Sequence, residues 1–419
     1  MVNRPEQKLW ILSELYYPED SATGYYVTGL AEGLAEAFDV RVLCAQPTYA
    51  ARGTIAPKDE VYRGVRIHRC AATALNKDVL AFRLMNLTTI SLSIFMNALL
   101  KVRPGDRVFV VTNPPTLPFV ALVVCKLRKA RLVLRIEDVY PEAMAAASIL
   151  HPRSIFYRLL QAVHRRLYQA VDAIVVLGRD MKSLVEKKAP SCRSRTVVIP
   201  NWADLDHIHP LPRSENPLLQ KLGLSEKFVV QYSGNMGRTH DLESIIEVAR
   251  RMQNHAEIHF LFIGSGAKQA SVKATIERWR LTNVTVLPPQ KRSDLNISLN
   301  ACDVSIISFV PGMVGVSVPS RMYNVLAAGK PIIAVTGKDS ELAMIIREAS
   351  VGWIVEPKDI DGLQDALVRA YTQRDSLSET TRRARSVVEQ NYSYRAVIEQ
   401  YHALLNSATA EVVQSGRIV

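Results

Sequence analysis

The stretch FVVQYSGNMGR, residues 228–238, carries the pattern that decides the fold. Phe228–Tyr232 is a short apolar run, which is typical of a buried parallel strand. Two glycines follow this run, Gly234 and Gly237, and a helical pattern begins near Leu242. A strand, a glycine-bearing turn and a helix in this order form one step of a doubly wound α/β sheet.

The same alternation of short apolar runs and helix-length segments recurs along the 419 residues. It predicts the α/β fold class, with two doubly wound, Rossmann-like domains. Length also favours two domains, because single cores stop growing at roughly 250–300 residues. The predicted strands are Leu9–Leu12, Val40–Leu43, Val108–Val111, Leu132–Ile136, Ala173–Leu177, Val197–Ile199, Phe228–Tyr232, His259–Ile263, Val284–Leu287, Val304–Ile307, Pro331–Val335 and Gly352–Val355.

A cluster of prolines marks the predicted boundary between the domains. Four prolines lie between residues 200 and 217, and the apolar residues there follow neither helical nor strand periodicity. The predicted organisation is an N-terminal domain over 1–200, a linker over 201–217, a C-terminal domain over 218–390, and a closing helix and tail over 391–419. The closing helix is expected to pack back towards the N-terminal domain.

The composition is that of a packed globular protein, with 48% hydrophobic and 22% charged residues. The net charge of +12 suits a polyanionic partner such as nucleic acid, an acidic membrane or a phosphorylated substrate. No nucleic-acid module is recognisable, and aromatic residues are only 7%, so nucleic acid is not expected. Five scattered cysteines and a polar Met1–Lys8 segment without a signal-peptide pattern predict a cytoplasmic protein.

The turn after Tyr232 is the strongest phosphate-binding candidate. Gly234 and Gly237 have no side chains, so a ligand can come close to the main chain. Asn235 can donate hydrogen bonds, and Arg238 supplies positive charge for a diphosphate. A second glycine turn, residues 264–266, ends another predicted strand. It lacks the third glycine of a dinucleotide fingerprint, but ligands of open α/β sheets bind at this end of the strands.

A third polar cluster begins a short predicted helix between a Pro-Ser start and a Gly-Lys-Pro stop. Ser320 suits the N-cap or the first turn. Arg321 and Asn324 are three residues apart and share one helix face, so they could meet phosphate and sugar hydroxyls together. The alternative is an ordinary solvated face.

Two features of the N-terminal domain suggest an acceptor site. Gly24 would open a helix and let a ligand approach free backbone N–H groups, or else it only serves a flexible turn. Glu137 and Asp138 follow a predicted strand, where a carboxylate could polarise a hydroxyl. Helix capping by Asp138 ahead of Pro141 is the competing role.

Metal binding is not expected. The Asp204-Leu-Asp206 sequence lies in the predicted linker and is interpreted as structural, while His207 and His209 have no third ligand nearby. The sequence contains no Walker A motif and no G-x-S-x-G motif, which argues against P-loop and hydrolase chemistry.

The segment Arg153–Arg166 predicts a basic amphipathic helix. Together with the uncharged stretch Leu84–Leu100, it could lie on an anionic membrane, as a peripheral contact on the inner face. The alternative is an amphipathic helix packed on the sheet. The uncharged stretch is short and polar for a membrane span.

Taken in order, several segments resemble the retaining family 4 glycosyltransferases of the GT-B fold, and within them the exopolysaccharide and O-antigen branch that includes the colanic-acid transferases. The resemblance covers most of the chain, and the order of its segments is specific. The matching segments are the Tyr-Tyr-Pro start with Gly24, Glu137-Asp138, Ile199-Pro-Asn201-Trp-Ala-Asp204, Tyr232-Ser-Gly-Asn235, Gly264-Ser265-Gly266, and Val318-Pro-Ser320-Arg321 through Ala327-Ala-Gly329-Lys-Pro331.

The resemblance implies transfer of a sugar from a nucleotide-diphosphate sugar, expected to be UDP-linked, to a lipid-linked or saccharide acceptor in cell-surface polysaccharide synthesis. It implies retention of configuration, no metal and no cofactor, with the two domains facing each other across a cleft. The predicted donor-binding residues are Gly234, Asn235, Gly237, Arg238, Gly264, Ser265, Gly266, Pro289, Ser320, Arg321 and Asn324. The predicted catalytic residues are Glu137, Asp138 and Arg321, and the predicted acceptor-binding residues are Gly24 and Tyr25.

The chain departs from the wider family at one motif. That family carries two glutamates with seven residues between them, whereas this chain has Val316 and Asn324 at those positions. The branch it resembles shares the loss. Two other functions stay open: a sugar-nucleotide epimerase, which uses the same twin α/β architecture, and a non-catalytic protein that binds lipid or nucleic acid.

Overall fold

The computed structural model describes residues 7–47, 54–75 and 79–407. They form two compact units. The first contains the chain up to Tyr140, Arg158–Pro200 and the chain from Val397, and the second contains Pro141–Tyr157 and Asn201–Ala396. Most of the predicted Met1–Lys8 segment, and the predicted tail after residue 407, lie outside the described residues.

The first unit is built on an eight-stranded sheet in the order β3-β4-β2-β1-β5-β6-β7-β8, parallel except for the β3–β4 pair. Its strands are β1 Lys8–Leu12, β2 Asp39–Cys44, β3 Asp59–Tyr62, β4 Val65–Arg69, β5 Arg107–Val111, β6 Arg131–Ile136, β7 Ala173–Val176 and β8 Thr196–Val198. The helices along residues 1–200 are α1 Ala22–Leu34, α2 Leu80–Lys101, α3 Leu117–Arg128, α4 Glu142–Ala146, α5 Ile155–Ala170 and α6 Arg179–Lys188.

The second unit is built on a six-stranded parallel sheet in the order β11-β10-β9-β12-β13-β14. Its strands are β9 Phe228–Ser233, β10 Ile258–Ile263, β11 Val284–Leu287, β12 Val304–Ser308, β13 Ile332–Val335 and β14 Gly352–Val355. The helices from residue 201 onwards are α7 Pro217–Leu222, α8 Leu242–Arg251, α9 Gln269–Trp279, α10 Leu295–Asn300, α11 Arg321–Ala327, α12 Glu341–Ala349, α13 Ile360–Thr372, α14 Leu377–Asn391 and α15 Tyr394–Asn406.

All twelve predicted strands are confirmed to within one residue at each end. Most of them are parallel strands buried on both faces, so they read as continuous apolar runs, and only the edge strands β11 and β14 are mainly half-buried. The β3–β4 pair was not predicted, because β3 lies at the sheet edge and its side chains are exposed or half-buried.

The segment 201–217, predicted as a linker, is an ordered part of the second unit. The Asn324 side-chain oxygen accepts a hydrogen bond from the Asp204 backbone N–H at 3.0 Å. Arg213 pairs with Asp303 at 2.7 Å, and Trp202 is buried. From Val397 on, helix α15 packs within the first unit.

Candidate active site

The predicted donor-binding turns lie at one end of the second sheet. The strand order reverses between β9 and β12. In open α/β sheets, ligands bind outside the carboxyl ends of the strands at such a switch point. The segments that follow β9, β10 and β12 all leave the sheet here, and they contain most of the predicted donor residues.

The two glycine turns pack backbone against backbone. Gly234 and Gly264 have φ angles of 136° and 145°, in the region that favours glycine. A side chain at Gly264 would meet the carbonyl oxygen of Gly234, and one at Gly266 would meet the Met236 backbone. The Met236 N–H donates to the carbonyl of Ser265 at 2.8 Å. Residues 234–237 and 264–266, each predicted to bind the donor, are therefore brought into direct contact.

The structure brings Arg321, the first residue of α11, to the first glycine turn. A Cβ atom added at Gly234 would lie 3.0 Å from Arg321 Nη1. Nη1 donates to the Ser233 carbonyl at 3.1 Å, and the guanidinium carbon lies 4.9 Å from the centre of the Tyr232 ring. Glycine at 234 thus leaves room for the guanidinium, which the ring also attracts by a cation–π interaction.

His240 completes this cluster and was not predicted. Its Nε2 lies 3.2 Å from Arg321 Nη2, and its Nδ1 lies 2.8 Å from the Ser308 carbonyl oxygen. Because a guanidinium only donates, Nε2 accepts and Nδ1 carries the proton. Burial, and then the charge of Arg321, lower the pKa of His240 to about 3. His240 is therefore a neutral acceptor that orients Arg321. The sequence signal was slight, a single histidine just before α8.

The remaining predicted donor residues occupy varied environments. Arg238 and Pro289 are exposed. Ser320 stands at the N-cap of α11, as predicted, but its side chain makes no capping hydrogen bond. The side-chain oxygen of Asn324 accepts the hydrogen bond from the Asp204 backbone N–H, and Val316 is buried in the core. Their roles towards a donor stay predictions.

The two predicted acceptor-side carboxylates differ in their surroundings. Glu137 Oε1 lies 2.8 Å from Nε of Arg135, a fully buried arginine on β6. Neutralising one member of a buried ion pair is strongly destabilising, so Glu137 has a structural role that the sequence did not reveal. Asp138 is half-buried. The N-cap of α4 is Pro141, so Asp138 does not occupy the alternative capping position.

Gly24 lies in the first turn of its helix, as predicted, but its own N–H is not free for a ligand. It is the third residue of α1, and its N–H donates to the Ser21 side-chain oxygen at 3.2 Å. A side chain at Gly24 would collide with the Glu19 carbonyl oxygen. Close backbone packing therefore explains this glycine. Tyr25, the next residue, is half-buried, with its ring 5.1 Å from that of Tyr26.

Within the described ranges, no group of three or more His, Cys, Asp or Glu residues is arranged to hold a metal ion. Asp204 has the structural contacts expected of it. Its Oδ1 lies 2.8 Å from His207 Nδ1, and its Oδ2 lies 3.4 Å from Arg292.

Two family models match the chain, a glycosyl transferase 4-like domain over residues 21–202 and glycosyl transferases group 1 over residues 215–387. The Pseudomonas aeruginosa protein named "Probable glycosyltransferase WbjE" is 34% identical over 311 residues, which are 74% of this chain and 77% of that protein. The chain belongs to the family 4, group 1 glycosyltransferases.

Two further proteins are similar to this glycosyltransferase over nearly its whole length. The Escherichia coli K12 protein named "Putative colanic acid biosynthesis glycosyl transferase WcaI" is 25% identical over 94% of this chain and 98% of its own. The Anabaena protein HepE, solved with UDP-glucose, superposes with a TM-score of 0.72 at 14% identity, over 95% of this chain and 99% of that chain. The predicted pair of Rossmann-like domains of the GT-B fold is confirmed, and family membership decides against the epimerase and the non-catalytic alternatives.

Proposed function

We propose that this glycosyltransferase takes a sugar from a UDP-linked donor and transfers it, with retention and without a metal ion, to a lipid-linked or saccharide acceptor in cell-surface polysaccharide synthesis. The observation that carries the proposal is the guanidinium of Arg321, held against Gly234 at the carboxyl end of β9. The name of WcaI supports the polysaccharide setting, and the UDP-glucose complex of HepE supports the donor class.

The surroundings of Arg321 suit a departing diphosphate. In the described part of the chain its partners are a carbonyl, an aromatic ring and a neutral imidazole. None of them carries a negative charge, so the guanidinium charge is available to a ligand. Negative charge develops on the diphosphate as the bond to the sugar breaks, and a preorganised cation stabilises it without reorganisation.

The two glycine turns suit the same ligand. Backbone without side chains lets phosphate oxygens approach the turns closely, although the N–H groups of Gly234 and Gly264 already donate to the Ile263 and Leu287 carbonyls. Arg238, exposed on the first turn, would add a second positive charge. On the acceptor side, Asp138 is the carboxylate that we propose to orient the acceptor hydroxyl, because it is half-buried just after the carboxyl end of β6.

Calorimetry with a panel of nucleoside diphosphates tests the donor site. We expect micromolar binding of UDP, equal with magnesium and with a chelator, and at least 100-fold weaker in Arg321→Ala. The matched control is Arg382→Ala, an exposed arginine on α14, which should bind as the wild type does. Absence of binding by every nucleotide would contradict the donor assignment, and an inverted anomeric product would contradict retention.

A further inference from the structure

Three helices of the first unit lie side by side. Arg128 Nε, in α3, donates to the Leu99 carbonyl of α2 at 2.6 Å. On the other side of α3, the Phe119 ring lies 5.2 Å from the His164 ring of α5. The part of α5 used here, from Arg158 on, belongs to the same unit as α2 and α3. The order α2, α3, α5 therefore forms one continuous layer.

Helix α2 has two apolar stripes on opposite sides. Ile90 and Ile94 are buried, whereas Leu92, Met96 and Leu100 are 60%, 48% and 66% exposed. At 3.6 residues per turn, the last three lie on one line along the helix, facing away from the buried stripe. The expectation that the uncharged stretch is too short and polar for a membrane span is wrong by length and composition alone: among the described residues, Ala81–Lys101 is the one helical stretch long and apolar enough to cross a membrane.

The neighbouring helices continue the exposed apolar surface. Val123 and Leu127 on α3 are 47% and 62% exposed, and Leu159 on α5 is 59% exposed. An apolar surface that extends over several helices marks an interaction site, unlike singly scattered apolar residues. We define the apolar face as Leu92, Met96, Leu100, Val123, Leu127 and Leu159.

The charge on these helices is entirely of one sign. Helix α2 carries two Lys or Arg residues, α3 carries two and α5 carries three, and none of the three helices contains Asp or Glu. Lys126, Arg158, Arg165 and Arg166 are exposed beside the apolar face. A second copy of this surface would be repelled, because both copies would carry only positive charge.

We propose that the apolar face docks on an anionic lipid bilayer, with α2 lying in the plane of the interface. Exposed Leu and Met flanked by Lys and Arg is the pattern of helices that bind in the headgroup region. An in-plane position fits better than a span, because α2 joins β4 to β5 and packs Ile90 and Ile94 into its own unit. This inference is independent of the proposed donor and its chemistry.

Co-sedimentation of the full chain with vesicles tests the proposal. We expect binding to phosphatidylcholine vesicles containing phosphatidylglycerol, weaker binding to phosphatidylcholine alone, and release by high salt. Each basic residue near an anionic surface strengthens binding roughly fivefold. The triple variant Arg158→Gln, Arg165→Gln, Arg166→Gln should therefore bind on the order of 100-fold more weakly.

The matched charge control removes three exposed cations from the second unit, Lys221→Gln, Lys273→Gln and Arg382→Gln, and should bind as the wild type does. The variant Leu92→Ser, Met96→Ser, Leu100→Ser tests the apolar contribution and should bind at least tenfold more weakly. Unchanged thermal unfolding would show that both test variants are folded.

Three results would overturn the proposal. The first is equal recovery in the supernatant with anionic and neutral vesicles at low salt. The second is full binding by the serine variant, which would make the surface a general polyanion site for acidic protein or nucleic acid. The third is retention on membranes that only detergent releases, which would show that α2 spans the bilayer.

Discussion

Two buried histidines should make the second unit less stable at mildly acidic pH. Burial, and then Arg321, lower the pKa of His240 to about 3, and burial lowers that of His259 to about 4, from the ordinary value of 6.5. Below pH 6.5 the unfolded chain binds a proton at each histidine, whereas the folded chain does not. Folding stability is therefore complete above pH 6.5 and is lost as the pH falls towards the folded pKa values.

The size of the loss follows from these pKa values. Each pH unit between the unfolded and folded pKa costs about 1.4 kcal/mol per histidine. At pH 5, His240 and His259 should each lower the free energy of unfolding by about 2 kcal/mol. Both side chains are nearly buried, at 7% and 9% exposure, so solvent screens the effect little.

Denaturant unfolding at pH 7 and pH 5, followed by tryptophan fluorescence, measures this loss. Three of the four tryptophans, Trp202, Trp279 and Trp353, belong to the second unit. The variants His240→Asn and His259→Gln cannot be protonated in this range, so each should remove about 2 kcal/mol of the pH dependence.

The control is His209→Gln, because His209 is an exposed histidine of the same unit whose side chain lies beside the Asn296 amide. Its pH dependence should match the wild type. The reasoning would be refuted if the wild type and the double variant lost the same free energy between pH 7 and pH 5.

Three further predictions concern the two candidate sites. Arg321→Ala should lower the turnover of donor by roughly 10²–10³-fold, about 2.7–4 kcal/mol, at nearly unchanged melting temperature, and near-normal turnover would refute its role. Gly264→Ala should push the Gly234 carbonyl aside and weaken nucleotide binding more than tenfold by calorimetry; unchanged affinity would contradict the described contact. Glu137→Gln should remove the carboxylate charge that faces buried Arg135 and destabilise the chain by about 3–5 kcal/mol in denaturant, and wild-type stability would disprove that pairing.

The fold could be predicted well from the sequence, because each buried strand is recognisable from its own few residues. Strands buried on both faces must be apolar along their whole length, so each one is visible as a run. The exposed edge strand β3 has no such run and was missed. Glycine turns were also visible, and the sequence ranked the turn at Gly234 above the one at Gly24. It could not show that Gly24 accommodates the Glu19 carbonyl, because that contact depends on the folded loop.

The partners of charged residues could not be predicted, because they depend on burial and on distant segments. Glu137 appeared equivalent to Asp138 in the sequence, yet only the fold shows that Arg135 is buried beside it. His240 is 81 residues from Arg321, and no local pattern records that contact. The helix pattern and the family resemblance both suggested Arg321, but the residues that hold it in place are seen only in the structure.

The close fit of the two glycine turns bears on attempts to change the sugar donor by exchanging loops. The carbonyl of Gly234 occupies the space that any side chain at Gly264 would need. A transplanted turn from another enzyme would therefore meet a partner shaped for a different backbone. Residues 232–238 and 264–266 should be moved as one cassette, and libraries that randomise only one of them would return mostly inactive clones.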